Sequence, residues 1–232
     1  MVIKLYKMDV SPPARAAMMV TELINVPVQM VDVDLMKAEH LEPTFLKKNP
    51  VHCIPVLEDG DLTLSDSHAI TTYLLEVYGT DDTLYPKDPK KRALVNQMLH
   101  FDNGTLFQRL RNVTYYIFIG ELKKASERHL SDIDEAYGFV EQYLTRNKWL
   151  AGDNMTVADI CAVSTVVGLN HLLPIDACFF YCDSTYDSTP KCAEVWSMNE
   201  CHCYYNSITV SSNHIHYAGL VGTGNLQVDP ET

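Results

Sequence analysis

Basic charge is in short supply in this 232-residue sequence. Its 18 lysines and arginines face 30 aspartates and glutamates, a formal net charge of −12. A nucleic-acid-binding protein needs a basic footprint, so that class is excluded. Any anionic ligand must be held by local donors against an unfavourable overall field. Long apolar runs are missing too. None approaches the roughly 18 residues of a membrane span, and the opening MVIKLYKMDV has no apolar stretch of the kind a secretory signal carries. Paired cysteine spacing is also absent. Seven cysteines, an odd number with no signal segment, point to free thiols in a reducing cytosol, so the expected location is cytoplasmic and the N-x-S/T sequons at Asn103, Asn112 and Asn154 are incidental. Cys178, Cys182, Cys192, Cys201 and Cys203, with His202, His214 and His216, match no closed zinc pattern, and no metal site is expected.

What is present is an apolar fraction of 47% and an ordinary charged fraction of 21%, the balance of a soluble globular chain of one large or two small domains. The first 80 residues alternate strand and helix patterns. Residues 2–6 (VIKLY) read as a strand, 12–25 as a helix without an interior breaker, and 28–35 (VQMVDVDL) as a strand by its period of two. A short helix is expected at 42–49. Residues 54–58 and 62–64 around Asp-Gly-Asp read as a hairpin, and 66–79 as a helix ending at a glycine. The polar, proline-bearing stretch 78–92 marks a boundary, with a linker at 81–88.

Beyond it the pattern is helical. Leu94, Val95, Met98, Leu99, Leu106, Leu110, Val113 and Ile117 recur at helical spacing, with Gly104 inside the run at a cost of about 1 kcal/mol relative to alanine. A second helix is expected over 131–147, capped by Ser131. A third, over 154–173, begins with a Thr156–Asp159 capping box and is apolar enough to be buried. The helical region extends to 206, with a further helix near 190–200, and the tail 207–232 is expected to be partly disordered.

One short stretch stands at the junction of the first strand and first helix: YKMDVSPPARAAMM, residues 6–19. Ser11 followed by proline is an N-cap followed by an N1 proline. The same position suits a thiolate, since a helix start presents unpaired N–H groups and partial positive charge, and a serine hydroxyl adds a charge-assisted hydrogen bond. Each unit by which a thiol pKa is lowered reflects about 1.4 kcal/mol of preference for the nucleophilic form. No G-x-S-x-G elbow surrounds Ser11, so nothing makes it a nucleophile itself.

SPPARA (11–16), EHL (39–41), NPVHCIPVLEDGD (49–61) and DSHAITTYL (66–74) occur in that order ahead of an all-helical half. Together they resemble insect glutathione transferases of the delta and epsilon classes, over roughly residues 1–175. The resemblance implies an α/β thioredoxin-like first domain (1–80), an all-α second domain (89–206) and a homodimer. It also implies glutathione as co-substrate, with no resident cofactor. Ser11 matches the serine that stabilises the glutathione thiolate. His40 and His52 match histidines at the glycyl end, although a lone histidine of either kind is equally a surface residue. Ile54 matches the residue whose backbone pairs with the cysteinyl part, and a cis-proline follows in the family, here Pro55. Asp66 and Ser67 match the pair that takes the γ-glutamyl end, a role compatible with capping the helix behind them. Cys53 stands beside the site and reads as a small packed thiol. A thiol-transferase mechanism would want cysteine at position 11.

Two features pull the class in different directions. His68 stands where delta members usually carry arginine. HFDNGTLFQRL (100–110) is more like delta, in which the aspartate matching Asp102 reaches glutathione bound to the other subunit. The resemblance places the apolar pocket for the electrophile at Met8, Pro13, Leu35, Arg111, Tyr115, Phe118 and Ile119, with helix core as the competing reading of Tyr115 and Phe118. The expected activity is conjugation of glutathione to small hydrophobic electrophiles, in detoxification of xenobiotics, insecticides included. A low-activity ligand carrier and a dedicated enzyme of endogenous, steroid-linked metabolism are the alternatives.

Overall fold

The computed structural model describes residues 2–175. The helix expected near 190–200, the tail 207–232 and the cysteine- and histidine-bearing segment lie outside the described residues.

The chain begins with strand β1 (Ile3–Lys7), helix α1 (Pro12–Leu23) and strand β2 (Val28–Asp32). A 3₁₀ turn (Glu39–Leu41) and the short α2 (Pro43–Leu46) lead to the hairpin β3 (Val56–Asp59) and β4 (Leu62–Ser65), and α3 (Ser67–Tyr78) follows. The sheet order is β2-β1-β3-β4. β1 runs parallel to β2, with Leu5 opposite Met30, and antiparallel to β3, with Leu5 opposite Leu57. The parallel pair needs the α1 crossover, while Asp-Gly lets β3 and β4 join tightly.

Alternation along β1 buries Ile3, Leu5 and Lys7. Leu5 and Leu57 face the α1 and α3 side with Val20, Ile70 and Leu74. Val56 faces the other way, into a smaller cluster with Val33, Phe45 and Ile54 that Tyr6, Met8 and Leu35 border. Arg92 pins the segment that follows α3. Its guanidinium donates to the carbonyl of Pro86 (2.6 Å) and pairs with Glu76 (2.5 Å), and it lies 4.1 Å from the Tyr85 ring centroid.

The helical half comprises α4 (Pro89–Phe101), a π-helical turn (Asp102–Leu106), α5 (Phe107–Phe118), α6 (Glu127–Arg146) and α7 (Val157–Asn170). The expected single run from 94 to 117 is therefore interrupted by a wider turn that contains Gly104. The N-cap of α6 is Ser126, not Ser131. Its hydroxyl accepts from the His129 N–H, and the His129 ring reaches back to the Ser126 N–H, so a histidine fills the place usually held by Glu or Gln. The Thr156–Asp159 box opens α7 as expected. Ten of the 14 residues of α7 are buried, so this helix is the axis of the molecule. Its side chains share one apolar core with Leu5, Leu57, Leu106, Ile133 and Leu144.

Candidate active site

The turn that delivers Ser11 is built by the end of β1. The buried Lys7 ammonium binds Asp9 (2.5 Å) and Asp32 (2.6 Å), and the Ser11 N–H donates to the Met8 carbonyl (3.0 Å). Ser11 is extended (φ −80, ψ 115) and caps α1, its Oγ accepting from the Ala14 N–H at 3.5 Å. Pro12 and Pro13 fill the next two positions and have no N–H to offer. The expectation that the helix start supplies several unpaired N–H groups is corrected by this. Ala14 carries the first N–H of the helix, and it already points at Ser11 Oγ. Any strong donor to an anion at this end must be the hydroxyl itself.

A second wall comes from residues 49–55. The buried Asn49 amide donates to the Cys53 carbonyl (2.9 Å) and Sγ (3.2 Å), and its oxygen accepts from the Val51 N–H (3.0 Å). This clamp holds His52 at a φ of 48 and presents its exposed side chain. Cys53 is exposed rather than packed as the sequence implied, with the Asn49 amide as its partner. The Ile54–Pro55 bond is cis, and both residues are buried. His40, on the 3₁₀ turn, lies with its ring 6.1 Å from that of His52. Burial, followed by the charge of His52, holds His40 below the ordinary histidine range, so at neutral pH it is an uncharged donor or acceptor. Lys48 pairs with Glu58, which also accepts from the Tyr6 hydroxyl (2.8 Å), and this ties the segment after α2 to the sheet.

At the third corner Asp66 caps α3, accepting from the N–H groups of His68 (2.9 Å) and Ala69 (3.1 Å). Its backbone (φ 78, ψ 121) lies outside the left-handed well that non-glycine residues tolerate, a conformation that costs on the order of 1–3 kcal/mol. Asp66 is exposed and Ser67 buried.

The residues expected to form the apolar pocket fall in two groups. Met8 and Leu35 are half-buried against the cluster that contains Ile54, and Pro13 is half-buried on α1. Arg111, Tyr115, Phe118 and Ile119 are exposed at the far end of α5, with Tyr115 40% and Phe118 37% accessible, which overturns the helix-core reading of those two. The Arg111 guanidinium lies 4.6 Å from the Tyr115 ring centroid. Helices α1 and α5 both meet α7 at Gly168. An ideal Cβ on Gly168 would lie 2.6 Å from Leu110 on α5 and 3.3 Å from Pro12 on α1.

Two domain models match this chain: the glutathione S-transferase N-terminal domain over residues 1–76 and the glutathione S-transferase C-terminal domain over 69–174. Glutathione S-transferase 1 of Manduca sexta is 49% identical over 179 residues, covering 76% of this chain and 82% of that protein. The chain belongs to the glutathione S-transferase family. An epsilon-class glutathione S-transferase from the housefly, Musca domestica, superposes with a TM-score of 0.80 at 38% identity, covering 88% of this chain and 90% of that one. A glutathione transferase homologue from Drosophila mojavensis, solved with bound glutathione, also gives 0.80, at 35% identity over 90% of this chain and 91% of that one. The four-stranded mixed sheet followed by a helical region is the fold of this glutathione transferase family. Among the described residues no helix is long and apolar enough to cross a membrane.

Two residues that the resemblance brought in separately, His68 and Asp102, meet within this chain. Asp102 stands on the π-helical turn. It is 3% exposed, and its Oδ2 lies 2.8 Å from His68 Nε2 within the same chain. The π-helical turn carries its side chain inward. Burial opposes charge on His68, but Asp102 and Cys161 together more than offset it and push the pKa up to about 11. The Cys161 thiol is itself pushed up by its burial. His68 is thus turned into the protein against Asp102 and keeps its positive charge through neutral pH. Sequence reasoning missed Asn49 and Gly168. Asn49 stood inside a quoted motif but carries no chemistry of its own. The only signal for Gly168 was a glycine placed mid-helix in an otherwise large-residue run.

Proposed function

We propose that this family member activates glutathione through Ser11 and conjugates it to small hydrophobic electrophiles. The observation that carries the reading is the Ser11 hydroxyl at a helix start where two prolines have removed the competing donors. Its oxygen accepts the Ala14 N–H while its proton stays free to point at a sulfur, so cap and catalyst use different halves of one group. Such an O–H···S⁻ bond, made only to the thiolate, lowers the thiol pKa and raises the nucleophile's population at neutral pH. His52 and His40 supply polar nitrogens for the glycyl carboxylate, and the backbone at Ile54 receives the cysteinyl unit. Asp66 pairs with the α-amino group, and Ser67 with the adjoining N–H groups takes the α-carboxylate. Met8, Pro13 and Leu35, with Arg111, Tyr115, Phe118 and Ile119, border the space for the electrophile. The remaining parts of the proposal are a cytoplasmic homodimer and a role in clearing xenobiotics, insecticides included. They draw on the family alone.

The test is Ser11→Ala, assayed with a chloro-dinitrobenzene-type electrophile and by titrating the ultraviolet absorbance of bound thiolate. Losing a charge-assisted bond of about 1.5–3 kcal/mol raises the thiol pKa by roughly 1–2 units and lowers turnover at neutral pH by one to two orders of magnitude. Unchanged rate and thiol pKa would remove Ser11 from the mechanism. Tight binding of an apolar ligand with negligible turnover across an electrophile panel would make the protein a carrier. Turnover confined to a steroid-like substrate would make it an enzyme of endogenous metabolism.

A further inference from the structure

Helical glycines in this chain fall into two kinds. Gly104 and Gly138 have open space where a Cβ would stand. Gly168, in α7, does not. A Cβ there would meet Leu110 Cδ2 at 2.6 Å and Cδ1 at 3.3 Å, and Pro12 Cγ at 3.3 Å. Leu110 is buried on α5, and Pro12 is the residue after Ser11, in the first turn of α1. A glycine inside a helix forgoes the propensity that alanine would bring, so its presence in the most buried helix marks a demand for close approach. The demand is specific. At this one position three elements meet: the helix bearing Ser11, the helix whose end carries Arg111, Tyr115, Phe118 and Ile119, and the central helix between them.

We infer that Gly168 is a positioning residue for Ser11: the missing side chain lets α7 seat against Pro12 and sets where the first turn of α1, and with it the Ser11 hydroxyl, stands relative to the sulfur. The inference builds on the proposed role of Ser11. Pro12 is rigid, and its ring cannot rotate away from an added methyl group as a longer side chain could. The 2.6 Å overlap with Leu110 falls on the end of a side chain that turns aside only within a packed core, while the 3.3 Å approach to Pro12 falls on a ring that cannot, so the start of α1 or α7 has to give by a few tenths of an ångström. A hydrogen bond to a thiolate is steep in distance and angle, so a shift of a few tenths of an ångström at the start of α1 is felt by the sulfur.

The experiment compares Gly168→Ala, Gly168→Ala with Leu110→Ala, Pro12→Ala and Ser11→Ala in one thiolate titration, with kcat and KM for glutathione alongside. Gly168→Ala is expected to raise the bound thiol pKa and lower kcat about threefold to tenfold, with a smaller change in KM. The Leu110→Ala partner removes the atoms in conflict and is expected to return the thiol pKa towards wild type. Pro12→Ala reaches the same contact from the other side and also restores an N–H donor that by itself lowers the thiol pKa, so a rise in that variant, against this donor, supports the inference if Gly168→Ala does not fold. A folded Gly168→Ala protein with unchanged thiol pKa overturns it, as does a shift that Leu110→Ala fails to relieve, or an unchanged thiol pKa in Pro12→Ala when neither Gly168 variant folds. If Ser11→Ala itself shifts nothing, the proposed mechanism has failed, a separate result from loss of the Gly168 effect alone.

Discussion

Removing either partner of the His68–Asp102 pair should destabilise the protein, and the pH dependence of the cost tests whether the pair is an internal charge lock. The two groups join the start of α3 to the π-helical turn, at 2.8 Å, with side chains 14% and 4% accessible. His68→Gln leaves a buried carboxylate that can shed its charge only by taking up a proton. Stranding one member of a buried pair costs about 3–5 kcal/mol, and a glutamine that can still donate places the cost near the lower figure. Asp102→Asn leaves a histidine that sheds its proton, so no charge is stranded, but the contribution that the raised pKa represents is lost, on the order of several kcal/mol at neutral pH. The pH dependence has a fixed sign. The folded pKa of His68, about 11, is above the unfolded value of 6.5, so its contribution is complete below pH 6.5 and is lost as pH rises through 11. The stability gap between wild type and Asp102→Asn should therefore be widest at low pH and close on the alkaline side. Urea unfolding followed by far-ultraviolet circular dichroism, repeated across that window, measures it. A gap that ignores pH would refute the reasoning. Because the first turn of α3 also bears Asp66 and Ser67, both variants are expected to bind glutathione less tightly.

Two further substitutions probe the supports of the site and of the core. Asn49→Ala leaves the Cys53 carbonyl and the Val51 N–H unpaired, so we expect a loss of about 2 kcal/mol and a raised KM for glutathione with kcat little changed, read from unfolding and steady-state kinetics. Asp159→Ala strands the N–H groups of Leu150 and Thr156 and the Thr156 hydroxyl, and should cost at least about 3 kcal/mol, seen as a lower denaturant midpoint. A midpoint unchanged in Asp159→Ala would mean that water satisfies those donors.

Much of this architecture can be read from the chain because its elements announce their ends. Asp-Gly-Asp marks the hairpin, Ser-Pro-Pro the start of α1, and T-x-x-D the start of α7. The misses are tertiary. β1 covers Ile3–Lys7 and not 2–6, because pairing with β2 and β3 sets its limits and Lys7 finds two carboxylates. The helix expected over 42–49 shrinks to four residues as Lys48 turns to Glu58 and Asn49 to Cys53. The cap of α6 was missed because Ser126, five residues before the expected Ser131, is completed by His129 in a place that the pattern assigns to Glu or Gln. At the site, position along the chain placed the residues, but direction did not follow from it. Nothing in HFDNGTLFQRL says that a π-helical turn swings Asp102 inward, and nothing in RNVTYYIFIG says that Tyr115 and Phe118 face out.

Two of the four non-glycine residues at positive φ among the described residues, His52 and Asp66, set a limit on how robust such a protein can become. Each is a position where glycine would relax the chain, and where a search for heat-tolerant variants would find an easy gain of about 1 kcal/mol. Each is also a residue whose side chain the proposed site uses. Selection for durability and selection for glutathione affinity therefore compete at two addressable codons, and a lineage pressed towards toughness should lose its grip on the tripeptide there first.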